Sequence, residues 1–403
     1  MVQRKADVEP GIVTAPRLNQ GLQGASGEAV REWNRRLLLN LIRRRQPVSR
    51  AELARLSGLQ RSTVSLIVEE LVSQRWVVEG STGRLPRGRR PTFLRLNDKR
   101  AAMVVDIRPT RITVALADIH GRFLSQELLP TPREPDAAIE ELCRRLRRLL
   151  DSHPDMTIEG VAISLPGRFD PLSGRLVFAP NLKWPPCDLR APIEQMTGLQ
   201  VWLENAANAC ALAEAWYGEH RGVRDLVVVT VSEGIGTGLL LNGELVTGQN
   251  HMAGEFGHVA LEPDGPLCGC GRRGCWETLA SNRAALRYYG EGAPEQGPSF
   301  QDLLALCEQG DPLAVRAIDR MAAYLGRGLR MIVAGLAPEV IVIVGELTRC
   351  WQRFEPVLKA EIAAQTLAGA APRLAPAQDG ATARLRGAVA LIFQKYFGPP
   401  LPA

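Results

Sequence analysis

At 403 residues the chain is too long for one ordinary hydrophobic core, and two or three domains are expected. Residues 1–100 hold 20 Lys and Arg against 9 Asp and Glu, whereas the remainder holds 29 against 34, so a polyanionic partner is expected for the first part alone. The composition excludes a fibrous or disordered chain, no stretch resembles a signal peptide, and the apolar run 331–347 is broken by Pro338 and Glu339, so no membrane partner is expected.

Residues 1–26 lack hydrophobic periodicity and read as a flexible tail. From Glu28 onward Trp33, Leu37, Leu38, Leu41 and Ile42 recur at helical spacing, and Pro47 ends that helix. Ser49 and Glu52 have the spacing of a capping box opening a second helix, which Gly58 closes. A third helix is expected over residues 62–74. Ala54, Gly58, Val64 and Ile67 fall where a helix-turn-helix needs a small residue, a turn-permitting glycine and two buried aliphatics. Residues 76–78 and 93–96 read as strands around a loop carrying Arg84, Arg87, Arg89 and Arg90, so residues 27–97 are expected to form a winged helix-turn-helix.

In such a module the third helix lies in the major groove of double-stranded DNA, here presenting Gln60, Arg61, Ser62, Thr63 and Ser65, while the loop arginines reach phosphates or a narrow minor groove. One winged helix reads few base pairs, which favours a homodimer on a palindromic operator, with a tetramer left open. The run Arg43, Arg44, Arg45 admits two uses, contact with DNA phosphates or a solvated helix end stabilised by the helix dipole.

Past residue 98 the pattern becomes α/β, and residues 98–403 are expected to form one sensor domain of two lobes. Residues 103–107, 111–117 and 123–128 read as a strand meander, followed by an amphipathic helix over 136–150. Further strands are expected at 158–164, 201–203, 226–231, 238–241 and 340–344, with a closing helix at 388–397. The early meander argues against a uniformly wound parallel sheet. Gly234, Gly236 and Gly238 of SEGIGTG are compatible with a phosphate loop, but a tight hairpin is the favoured reading.

Residues 254–277, GEFGHVALEPDGPLCGCGRRGCWE, place His258, Cys268, Cys270 and Cys275 within eighteen residues. Zinc takes thiolate and imidazole ligands in a closed tetrahedron, and Cys3His is a standard structural set. Four protein ligands leave no position for a reactive water, so the ion would organise a loop. The single residue between Cys268 and Cys270 separates this pattern from common zinc ribbons. Cys143, Cys187, Cys210, Cys307 and Cys350 show no framework spacing and are expected to be reduced core residues of a cytoplasmic protein.

Together these motifs resemble the ROK family (repressor, open reading frame, kinase), from about residue 28 to the C-terminus. The resemblance implies an actin-like, ribonuclease H-like fold of two α/β lobes with a zinc loop. The winged helix places the chain in the repressor branch, similar to xylose and N-acetylglucosamine repressors. It further implies that Glu255, His258 and Glu277 reach sugar hydroxyls, His258 bridging metal and ligand, and that Gly167 and Arg168 of PGRFD and Asn205 of ENAANA line the same cleft.

The departures from the family's kinases matter equally. Where their first phosphate loop carries glycines, this chain has Asp106, Ile107, Arg108, Pro109, Thr110, and proline removes a backbone donor. Ala206 stands where they carry the aspartate that takes the proton from the sugar hydroxyl, and Val344, Gly345, Glu346 thin their adenosine loop. No catalytic residue is therefore expected. The expected function is a DNA-binding transcriptional regulator of carbohydrate genes, in the first instance a repressor, answering to a sugar or sugar derivative. Control by a protein partner is the alternative, because Ala206 also removes an acceptor for a sugar hydroxyl, and an active sugar kinase is the remaining one.

Overall fold

The computed structural model describes residues 27–82, 92–291, 298–364 and 371–398. Helix α1 (Gly27–Arg45) buries Leu38, Leu39 and Ile42. After the short strand β1 (Val48–Ser49), α2 (Arg50–Ser57) starts on a complete capping box: the Ser49 hydroxyl accepts from the Glu52 amide, and the Glu52 carboxylate accepts from the Ser49 amide at 2.9 Å. Gly58, at φ 70°, ends α2 in the left-handed conformation and turns the chain into α3 (Arg61–Ser73). Val64, Ile67, Val68 and Leu71 of α3 face the core. Strands β2 (Val77–Thr82) and β3 (Thr92–Leu96) pair antiparallel, and with β1 give the order β1-β3-β2. The loop arginines Arg84, Arg87, Arg89 and Arg90 lie outside the described residues, as does the segment 1–26.

The first lobe opens with the expected meander, β4 (Arg100–Ile107), β5 (Arg111–Asp118) and β6 (Phe123–Pro130). Helix α4 (Pro135–Ser152) buries Ile139, Leu142, Leu146 and Leu149 in this lobe's core. Strand β7 (Thr157–Leu165) joins β4 in parallel. A small sheet of β8 (Arg168–Phe169), β9 (Arg175–Phe178) and β10 (Cys187–Asp188) and helix α5 (Arg190–Thr197) precede β11 (Val201–Asn205), which runs parallel to β7. The sheet order is β11-β7-β4-β5-β6. Helix α6 (Ala206–Tyr217) leaves directly from β11.

The second lobe repeats that plan. Strands β12 (Leu226–Val231), β13 (Ile235–Leu241) and β14 (Glu244–Leu245) meander. Helices α7 (Trp276–Ala280), α8 (Asn282–Gly290), α9 (Phe300–Glu308) and α10 (Pro312–Leu336) follow, then β15 (Val340–Val344), α11 (Trp351–Ala363) and β16 (Arg373–Pro376). The order β14-β13-β12-β15-β16, three antiparallel strands extended by two parallel ones, is the first sheet's order again. Residues 331–347 are thus a helix end, a reversal at Ala337 (φ 43°) and a strand, as the break at Pro338 and Glu339 requires. Among the described residues no helix is long and apolar enough to cross a membrane.

Helix α12 (Ala383–Phe397) lies with α6 between the sheets, in one apolar cluster with Val104 and Ala162 of the first and Val228 and Val342 of the second. The two helices cross so closely that a Cβ on Gly387 would stand 1.7 Å from the Ala209 carbonyl oxygen. The same cluster runs into the N-terminal module. Trp76 meets Tyr396 at 4.3 Å and Phe397 at 6.1 Å between ring centroids, and the buried Asn40 amide donates to the Phe397 carbonyl at 2.7 Å. Arg43 belongs to this seam and to neither of the uses expected for it. Its guanidinium lies 4.3 Å over the Trp216 ring and donates to the Trp216 carbonyl at 3.3 Å, and burial pushes its pKa down to about 10.

Only Ser232–Gly234 forms the expected hairpin turn; Gly236 and Gly238 lie inside β13, where a Cβ on Gly238 would stand 2.3 Å from the Ala207 carbonyl oxygen. Those glycines let the first turn of α6 rest on the second sheet. Of the five scattered cysteines, all free, Cys143, Cys210 and Cys307 are buried, but Cys187 and Cys350 are half-exposed.

Candidate metal centre, ligand cleft and nucleic-acid interface

The sulfurs of Cys268, Cys270 and Cys275 and a ring nitrogen of His258 all lie within 4.8 Å of one another. The approach of Cys268 Sγ to His258 Nδ1 is 3.5 Å, and that of Cys270 Sγ to Cys275 Sγ is 3.6 Å. A tetrahedral ion with metal–sulfur bonds of about 2.3 Å and metal–nitrogen bonds of about 2.0 Å has edges of roughly 3.5–3.8 Å between its ligand atoms, so this donor set fits one. The loop folds around that point through Gly274, at φ 64°, where a Cβ would stand 1.5 Å from the Glu262 carbonyl oxygen. Burial pushes the Cys268 and Cys275 thiols up, a cost that a cation taking thiolates directly reverses. Trp276, fully buried, fixes the end of the loop on α10 by donating to the Tyr324 carbonyl at 3.0 Å.

His258 faces two ways. Nδ1 is on the sulfur side, 3.4 Å from Glu277 Oε1, while Nε2 is 3.7 Å from Glu255 Oε2. The Cys268 thiol also donates to Glu277 Oε1 at 2.9 Å. Burial pushes the Glu255 carboxyl up, and the charges of His258 and Arg168 pull it back, which puts Arg168 of the first lobe in the field of the second lobe's acid. Asn205 caps α6, accepting from the Ala207 amide at 2.8 Å, and its side-chain amide donates to the Gly167 carbonyl at 3.4 Å. Gly167 has its own steric reason to be glycine: at φ 97° a Cβ would stand 2.2 Å from the Phe178 carbonyl oxygen. The six expected ligand residues thus fall into two linked sets, Gly167 with Asn205, and Arg168 with Glu255, His258 and Glu277. Asn181 was not anticipated. It accepts from Arg283 Nη1 across the lobes at 3.0 Å, and its amide and Glu277 Oε2 both border Gly234. It sits in an irregular loop with no periodicity or motif to mark it.

At the turn between β4 and β5, Arg108 folds back on the buried Asp106, Nε to Oδ2 at 2.6 Å, and reaches the Ala381 carbonyl at 3.3 Å. Arg384 approaches the other Asp106 oxygen at 3.8 Å. The β4–β5 turn and the segment before α12 therefore meet through the Arg108 guanidinium. Ala206 is buried in the first turn of α6.

Helix α3 presents Gln60, Arg61 and Ser62 as exposed residues at its start, whereas Thr63 and Ser65 are half-buried on its flanks. Its outward stripe is Ser62, Leu66, Glu69 and Ser73, spaced by four, three and four residues and opposite Val64, Ile67, Val68 and Leu71. Of the residues expected to face DNA, Ser62 lies on this stripe, and Gln60 and Arg61 are exposed beside its start.

A family model described as the ROK family matches residues 102–395, and one described as the IclR helix-turn-helix domain matches residues 36–80. The chain is 30% identical over 373 residues to the xylose repressor of Bacillus subtilis, covering 91% of this chain and 96% of that protein. Among solved structures, a ROK family transcriptional regulator, a homolog of the Escherichia coli MLC protein, superposes with a TM-score of 0.80 at 26% identity, covering 92% of this chain and 97% of that one. A ROK family glucokinase from Streptomyces griseus, in complex with glucose and AMPPNP, superposes with a TM-score of 0.66 at 30% identity, covering 72% of this chain and 98% of that one.

Proposed function

This chain belongs to the ROK family, and from that membership we propose that it is a DNA-binding transcriptional repressor whose two-lobed body senses a sugar or sugar derivative. The observation that carries the reading is the continuity of a helix-turn-helix with a ROK body along nearly the whole length of a xylose repressor and of a ROK regulator of known structure. Residues 27–97 are the winged DNA-binding module and residues 98–403 the sensor, working in the cytoplasm as a homodimer on a two-fold operator. Arg61 and Ser62 enter the major groove, and Arg84, Arg87, Arg89 and Arg90 reach the backbone.

Zinc is the ion proposed for His258, Cys268, Cys270 and Cys275, since three thiolates and one imidazole suit a soft-tolerant tetrahedral ion and leave no open position. Its role is to hold Glu255, His258 and Glu277 on one loop facing Arg168 and Asn205. With Nδ1 on the metal side, His258 Nε2 is left for a sugar hydroxyl. Kinase chemistry is proposed to be lost. Ala206 offers no base, and Arg108, held by Asp106 and Ala381, closes the phosphate turn. Ala206 also leaves a ligand hydroxyl without an acceptor, which favours a pentose, a deoxy sugar or a derivative altered there, in keeping with the likeness to a xylose repressor. The effector moves the DNA modules only by its differential affinity for the two cleft states.

The test combines in vitro selection of DNA from a random duplex pool with sugar titration. A recurrent palindromic sequence is expected, bound with nanomolar-range affinity and released by one class of sugar. Failure to enrich any sequence removes the repressor reading. Enrichment without release by any sugar moves control to a protein partner.

A further inference from the structure

The outward stripe of α3 carries a residue that a merely solvated helix does not require. Leu66 is 68% exposed, in the second turn, and the module's core is already filled by Val64, Ile67, Val68 and Leu71. A lone exposed leucine is ordinary on a protein surface; its neighbours make this one informative. Ser62 and Ser73 on the same stripe are short and allow close approach. Exposed Glu69, one turn beyond Leu66, would be repelled by phosphates, and it can accept only from a donor such as the cytosine amino group. The centre of the stripe is therefore suited to base edges and unsuited to the sugar-phosphate backbone. In the major groove the one apolar group on a base edge is the thymine 5-methyl.

On the DNA-binding reading given above, we infer that Leu66 reads sequence by packing on a thymine 5-methyl, making a T·A pair part of each half-site. Because the side chain is exposed, Leu66→Ala removes the contact without opening the core.

The experiment uses the full chain and duplexes recovered by selection from the random pool. Each recurrent thymine is replaced in turn by deoxyuridine, which keeps every hydrogen-bonding group and lacks only the methyl. Wild type is expected to bind about four-fold more weakly per half-site when one particular thymine is replaced, the equivalent of losing one buried apolar carbon. Leu66→Ala is expected to bind the thymine and uracil duplexes equally. Equal wild-type affinity for every substituted duplex overturns the inference while leaving sequence-specific binding intact. So does a thymine preference that survives in Leu66→Ala, since another residue then reads the methyl. A Leu66→Ala protein that loses self-association with an unchanged thymine preference assigns the leucine to a second copy of the chain instead. If no sequence is enriched, the DNA-binding reading itself falls, and the inference with it.

Discussion

Replacing Glu204 by Gln should make the protein more stable at alkaline pH and largely abolish one component of its pH dependence. Glu204 is 3% exposed at the end of β11, and one carboxylate oxygen accepts from the Asn205 amide at 2.8 Å and the Asn208 side chain at 3.0 Å. Burial pushes its pKa from 4.5 to about 7, and those two donors offset the effect only in part. The unfolded chain releases this proton near its ordinary pKa, whereas the folded chain retains it to about pH 7. Between those values the folded state binds more protons, so stability falls as pH rises, by roughly 1.4 kcal/mol per pH unit. Across the window this is about 3 kcal/mol, fully lost above pH 7. Glutamine keeps a carbonyl for both donors and never ionises. Urea unfolding followed by tryptophan fluorescence should place the variant within about 1 kcal/mol of wild type at pH 5 and about 3 kcal/mol above it at pH 8. Other titrating groups cancel in the difference between the two proteins. Equal slopes from pH 5 to 8, or a variant less stable at pH 8, would refute the reasoning.

Purified, unchelated protein should contain about one metal ion per chain, and Cys270→Ala should lose it while the second lobe stays folded on Trp276; elemental analysis with circular dichroism checks both. Arg43→Ala should loosen the DNA-binding module from the body by about 2–4 kcal/mol, from the lost ring contact and the unpaired Trp216 carbonyl, read as faster amide exchange in α1. Ala206→Asp should strengthen glucose binding by about 1–3 kcal/mol in titration calorimetry, and no gain would sink the argument from the missing acceptor. Arg61→Ala should cost about 1–3 kcal/mol on the selected operator and little on random DNA; an unchanged ratio of the two affinities would remove Arg61 from base reading.

Local chemistry was written plainly in the chain. Ser49 with Glu52, Gly58 as a left-handed stop, the spacing of His258 and the three cysteines, and the apolar runs of the central strands each depend on residues close together in sequence, where hydrogen-bond reach and helical or strand period leave few alternatives. The short strands β8, β9, β10, β14 and β16 were missed because segments of two to four residues complete no period and take their ladder from a neighbour.

What only the tertiary structure decided are the places where distant segments meet. Arg43 reads in the sequence as a surface cation, and the fold packs it half-buried on Trp216, 173 residues away. Gly236 and Gly238 looked like turn residues and instead make room for α6. Asn181 reaches Arg283 across the lobes, and Arg108 closes on Ala381 from the far end of the chain. In each case the residue type permits several roles, and the choice among them is made by desolvation and close packing against a partner that only the fold brings within reach.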